Sequence, residues 1–335
     1  MPGYSLHADS RSANAQLGDI PARRCTCIDG SRTRGAALYG RQLTCGNAKH
    51  GAKIGAAGML RLATLLFPQT VRRNRSMSRG LFGSWKRKRT LARTRIDAAL
   101  WQRVIESLPF LRGLSPPDLE QLRELAVLFL AEKEMHGAAG FELTDEVRLS
   151  IAVQACLPVL KLELAFYRGW IGIVVYPGEF RVNLQEVDAD GVVHEFEDEL
   201  SGEAWPGGPV VLSWADAMQD EAGYNVVIHE FAHKIHMLRG GDDDFPAPHA
   251  EMDEASWRET LADGYELLCA QVDAGKATLV DPYAAGHPAE FFAVMSEMFF
   301  TSSEILARDW PDLYRELATF YRQDPAERMG TMSDP

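Results

Sequence analysis

The sequence predicts an α+β domain, helix-rich with a small mixed sheet. Segments of 3–4 residue apolar period recur on both flanks of the chain, whereas β-rich runs are short and cluster between residues 171 and 214. Hydrophobic residues make up 46% of 335, enough to bury a sizeable core.

The elements follow in order. Residues 1–76 are rich in Gly, Ala, Ser and Arg, show no sustained period, and read as disordered. They also read as a mis-annotated extension, because Met77 followed by Ser78-Arg79-Gly80-Leu81-Phe82 resembles a natural start. Residues 77–97 form a basic tail, with Lys86-Arg87-Lys88-Arg89 expected in solvent rather than on nucleic acid. The folded domain is placed at 98–328 and a C-terminal tail at 329–335. From Ala98 the pattern is helical. Ser115 is a good N-cap before Pro116-Pro117, and Leu119, Leu122, Leu125, Ala126 and Phe129 continue at helical spacing. Gly137 to Gly140 break that helix, and another covers Asp145 to Cys156. Ile171 to Tyr176, a stretch around Val182, and Gly191 to Phe196 read as strands. Gly207 to Trp214 reads as a further strand, either in the core or at a sheet edge where it could take an extended peptide. Later helices are expected over 254–274, 288–300 and 311–321.

Charge is unevenly spread. Residues 1–76 hold 12 Lys and Arg against 3 Asp and Glu, which leaves 23 of the 35 basic and 44 of the 47 acidic residues for 77–335, a net of −21. So acidic a body argues against direct nucleic-acid binding. No run reaches the roughly 18 apolar residues of a membrane span, and 54–67 is short, interrupted by Arg61 and too far from Met1 for a secretory signal. Cys156 and Cys269 lie in apolar helical runs and read as buried thiols; Cys25-x-Cys27 lacks zinc-knuckle spacing. Both readings fit the cytoplasm. Gly240 to Pro246 is an acidic loop without the spacing of a calcium loop.

The chemistry concentrates at His229-Glu230-Phe231-Ala232-His233, an H-E-x-x-H pattern inside the mostly apolar helical run Tyr224 to Ile235. Residues four apart share one helix face, so His229 and His233 can bind one zinc ion, and Glu230 can reach a water on it. Zinc lowers the pKa of that water from 15.7 to about 7, and peptide-bond hydrolysis is the expected reaction. His236 lies about 4.5 Å further along the axis than His233, too far to share the ion, and is expected to be solvated or to support the ligands. The third ligand is expected to be a carboxylate from a later helix: Glu251, Glu254, Glu259, Asp263, Glu290 or Glu297. Glu290 and Glu297 stand out, seven residues apart on one face of a helix rich in Phe and Met, where a carboxylate needs a counter-charge. Spacing does not choose between them.

These residues, with Tyr283-Ala284-Ala285-Gly286-His287-Pro288-Ala289-Glu290-Phe291-Phe292-Ala293-Val294, Ser296-Glu297, Leu157-Pro158-Val159-Leu160, Val175-Tyr176-Pro177, Gly208 to Trp214 and Gln323-Asp324-Pro325, resemble the Mlc titration factor A family of zinc peptidases. The resemblance runs from about Leu81 to Arg328. It implies a zincin-like metallopeptidase domain of gluzincin type, with an active site akin to that of anthrax lethal factor. It implies one Zn2+ per chain on His229, His233 and Glu290, with Glu230 as general base and Tyr283 beside the metal to stabilise an oxyanion. The implied partners are a peptide substrate, with aminopeptidase cleavage among the expected forms, and a transcription repressor of the Mlc type whose capture relieves repression of sugar uptake. Position 236 departs from the family, where Asp is expected.

Overall fold

The computed structural model describes residues 25–27, 81–187, 193–219, 222–239 and 245–330. Within 1–76 only the strand β1 (Cys25–Cys27) is described; the rest of that stretch, most of the acidic loop 240–246, and the tail 331–335 lie outside the described residues. Within 77–97, read as a basic tail, a helix α1 (Leu81–Arg93) packs on α3 and pairs Arg87 with Glu124 at 3.1 Å.

Helices α2 (Ala98–Glu106) and α3 (Pro116–Glu132) follow, the second capped by Ser115 as its sequence predicts. Strand β2 (Glu134–Gly137) precedes α4 (Asp145–Cys156), whose cap is Thr144. Then come β3 (Gly172–Tyr176), the hairpin β4 (Phe180–Val187) and β5 (Val193–Leu200), β6 (Gly202–Ala204) and β7 (Val210–Ser213). A short turn of helix α5 (Trp214–Ala217) leads to the motif helix α6 (Val226–Arg239). The chain closes with α7 (Glu254–Asp273), α8 (Pro288–Thr301), α9 (Ser303–Asp309), α10 (Pro311–Tyr321) and α11 (Pro325–Gly330). No described helix is long and apolar enough to cross a membrane.

The sheet is mixed, in the order β1-β6-β7-β3-β2. Strands β2, β3 and β7 run parallel, with Met135 beside Ile173 and Ile173 beside Val210. Strand β6 is antiparallel to β7, with Gly202 opposite Leu212, and parallel to β1. The predicted strand near 210 is therefore interior to the sheet. Both of its edges are paired, so it cannot take an added peptide strand, and the strand that faces the motif helix is β6.

Helix α8 is buried on every side from Pro288 to Phe300, which explains its Phe and Met content. Phe292 meets Trp257 of α7 and Phe320 of α10, while Trp257 and Phe320 stack at 4.8 Å. Helix α6 packs against this helix on one side and against the sheet on the other, so Val226 to His236 are all buried. Two segments distant in sequence close the body: Gln323 donates to the Leu157 carbonyl at 2.9 Å. Cys156 is a buried free thiol; Cys269 is disulfide-bonded, not a thiol. The expectation for Cys269 rested on apolar neighbours, which suit a half-cystine equally well.

Candidate metal centre

Local chemistry starts both helices that build the site. Asn225 caps α6, its Oδ1 accepting the Ile228 N–H at 2.8 Å. His287 caps α8, its Nδ1 accepting the Ala289 N–H at 3.1 Å, and Pro288 fills the first position, where no N–H is needed. Glu290 thus falls in the first turn of α8, where the helix dipole favours a carboxylate.

The two helices bring three ligand-type atoms to one point. His229 Nε2 and His233 Nε2 are 3.0 Å apart, and Glu290 Oε2 lies 3.1 Å from the first and 3.2 Å from the second. All three side chains are buried, and they form the only three-residue group of this kind among the described residues. Bonds of about 2.0–2.1 Å to a tetrahedral ion put ligand atoms roughly 3.3 Å apart, so this triangle suits a small divalent cation. The donor set also suits it. Two ring nitrogens facing each other at 3.0 Å repel unless a proton or cation lies between them.

Glu297 does something different. Its Oε1 lies 2.7 Å from His229 Nδ1, on the side of the ring away from His233, and its Oε2 accepts the Asn225 N–H at 2.6 Å. A hydrogen on Nδ1 leaves the Nε2 lone pair of His229 directed at the three-atom point. Of the other carboxylates considered from sequence, Glu251, Glu254, Glu259 and Asp263 are exposed, and the first two pair with Arg322 and Arg258.

The charges are strongly coupled. Burial depresses His229, but Glu297 and Glu290 outweigh it and lift the imidazole to about 10. Burial, with the nearby His229 and His236, holds His233 below its usual value. Burial would raise Glu290, yet the two imidazoles hold it well below the usual carboxylate range. With no ion bound, His229 therefore carries a proton at neutral pH. A cation binding at this point would have to displace it, so its affinity is expected to rise about tenfold per pH unit for each proton released. Competition titrations with a chelator between pH 6 and 8 check this; a flat profile would show that no proton leaves.

Glu230 lies about 100° round the helix from His229. It is fully buried and lies against strand β6. A Cβ on Gly202 would fall on Glu230 Oε1 and come within 2.7 Å of Val226 Cγ2. Gly202 is thus the position that lets the strand pass this close to the carboxylate. Gly202→Ala is expected to displace Glu230, costing about 1–3 kcal/mol of stability and most of the hydrolytic activity, with metal content retained. Normal turnover in that variant would show that the strand yields instead.

Tyr283 sits in a 3-10 turn (Pro282–Ala285) that packs on α8, its ring centroid 6.3 Å from that of His229. His236 is buried, not solvated, and it is not a member of the three-residue group. Sequence reasoning missed Gly202 and Asn225. A polar residue before an apolar helical run is a cap signal that could have found Asn225; a three-residue strand with no alternation offers none for Gly202.

An imidazole pair on one buried helix and a carboxylate on a second helix packed against it, beside a small mixed sheet, define a metallopeptidase-type domain. The chain belongs to the glucose-regulated metallo-peptidase M90 family, whose profile matches residues 82–322. It is 35% identical over 255 residues to Mlc titration factor A of Escherichia coli O9:H4 (strain HS), covering 75% of this chain and 94% of that protein. It is 37% identical to Mlc titration factor A of Klebsiella pneumoniae (strain 342), over 68% of this chain and 88% of that one. The relative of the same name from Pectobacterium atrosepticum is 38% identical over the same shares of the two chains.

Proposed function

We propose that this protein is a zinc-dependent peptidase, with His229, His233 and Glu290 as the metal ligands. The observation that carries the reading is the convergence of His229 Nε2, His233 Nε2 and Glu290 Oε2 within 3.0–3.2 Å of one another in a buried site. Zinc, when bound, supplies a Lewis acid and a water acidic enough to act at neutral pH. The chain's own residues do the rest. Glu297 fixes the His229 ring so that Nε2 faces the ion. Glu230 takes the water proton and later delivers it to the leaving amine, and its burial against Gly202 keeps the carboxylate in one place. The Tyr283 phenol donates to the oxygen that gains negative charge as the carbonyl is attacked. The reaction assigned is peptide-bond hydrolysis.

Chelation tests it. The purified protein should hold about one zinc per chain, cleave peptides, lose cleavage on removal of the metal and regain it with zinc. Cleavage that survives complete metal removal would overturn the reading.

A second function is favoured by one observation: the relatives that cover most of this chain are named Mlc titration factor A. On that ground the chain also binds a repressor of the Mlc type. Binding would survive loss of the general base, so the two functions separate on Glu230→Gln.

A further inference from the structure

Asn225 is tied in three directions at once. Its Oδ1 caps α6, its backbone N–H donates to Glu297 Oε2 at 2.6 Å, and its Nδ2 donates to Gln154 Oε1 at 2.7 Å. Gln154, on α4, is itself held, donating to Ser150 Oγ at 3.2 Å and to the Ala217 carbonyl at 3.3 Å. Both amides are almost fully buried. The result is a continuous run of hydrogen bonds from α4 to His229 that passes through the Asn225 backbone N–H, and in it only the last two members, Glu297 and His229, belong to the centre described above.

Helix capping accounts for one of the three ties. Any of several short polar residues satisfies the Ile228 N–H. Capping does not explain why Nδ2 is engaged by a buried amide from another helix, nor why the residue donating to Glu297 is anchored on its opposite side. Glu297 needs that anchor. Its Oε1 must stay on Nδ1 of His229 for the ring to present Nε2, and Thr301, which bonds the Glu297 backbone carbonyl, does not hold the carboxylate. A pocket of about 240 Å³, with Phe110, Met218 and Thr301 in its walls, is also lined by Gln154 and Asn225.

We propose that Asn225, braced by Gln154, is a positioning residue of the metal centre, setting metal affinity through Glu297 and the orientation of His229. The proposal rests on the zinc-peptidase reading above. Two near-isosteric changes test it. Asn225→Ser keeps a capping oxygen and the backbone N–H but removes the tie to Gln154; Gln154→Met keeps the volume but removes the acceptor. Zinc affinity, read by chelator competition, should fall by about tenfold or more in Asn225→Ser and in the same direction in Gln154→Met. The double variant should lose clearly less than the product of the two single losses, because both cut the same chain. Ser115→Ala, which removes the cap of α3 far from the site, should lower the melting temperature and leave zinc affinity unchanged. In the zinc-loaded protein, the His229 Nδ1–H resonance should shift and exchange faster with water in Asn225→Ser. A folded Asn225→Ser protein that binds zinc within about twofold of the parent would overturn the proposal. So would losses in the two single variants that simply multiply. A parent protein that binds no zinc would instead overturn the peptidase reading and this one with it.

Discussion

Glu230→Gln should leave the protein folded and zinc-loaded while peptide hydrolysis falls by at least about 10²-fold. Gln preserves the volume that Gly202 accommodates, so the strand and helix need not move apart. It cannot accept a proton at neutral pH, and losing a general base removes 10²–10⁴-fold in rate. Metal content separates this from a ligand defect: His229→Ala should lose zinc as well as activity. Full hydrolysis by zinc-loaded Glu230→Gln protein would remove Glu230 from the reaction and leave repressor binding as the better account of the family likeness.

The second large effect distinguishes the two buried carboxylates of α8. Glu290→Ala should reduce zinc to well below one ion per chain, because it removes the only carboxylate oxygen among the described residues within 3.2 Å of Nε2 of both His229 and His233. Glu297→Ala should keep the ion but bind it about 10–100-fold more weakly, the usual loss when the partner of a metal-bound imidazole is removed. Metal analysis after dialysis, followed by affinity titration, reads both. If Glu297→Ala is the variant that comes out empty, the roles are reversed.

The helices were legible because their signals are local. Apolar period and Ser115 with Pro116 and Pro117 mark the start of α3, and the run from Asp145 to Cys156 marks α4, with little help from the rest of the chain; α3, however, ends at Glu132, before the break expected at Gly137, because Glu134–Gly137 pairs into the sheet as β2. The pair His229 and His233 was legible for the same reason, since helical geometry alone puts them on one face. What sequence could not supply was anything that depends on which helix lies next to which. Glu290 and Glu297 are both buried in α8, and only the packing of α8 on α6 sends one to the Nε2 side of His229 and the other to the Nδ1 side. Gly202 and Gln154 act wholly through such contacts, on partners 28 and 71 residues away. The family match to residues 82–322 bears out the resemblance read from the motifs, which no single motif could have carried.

The placement of the ligands on two separate helices has a consequence for the lifetime of the protein. His233 and Glu290 are 57 residues apart in the chain. An ion held between them is a cross-link, closing a loop that contains all of α7 and the turn before α8. By the chain-entropy relation used for disulfides, restraining a loop of that length is worth on the order of 4 kcal/mol against unfolding. If the site holds an ion, its loss would therefore do more than stop turnover: it would open the loop, free α6 and α8 to separate, and expose the chain to proteolysis. In such a protein zinc supply would govern abundance as well as activity.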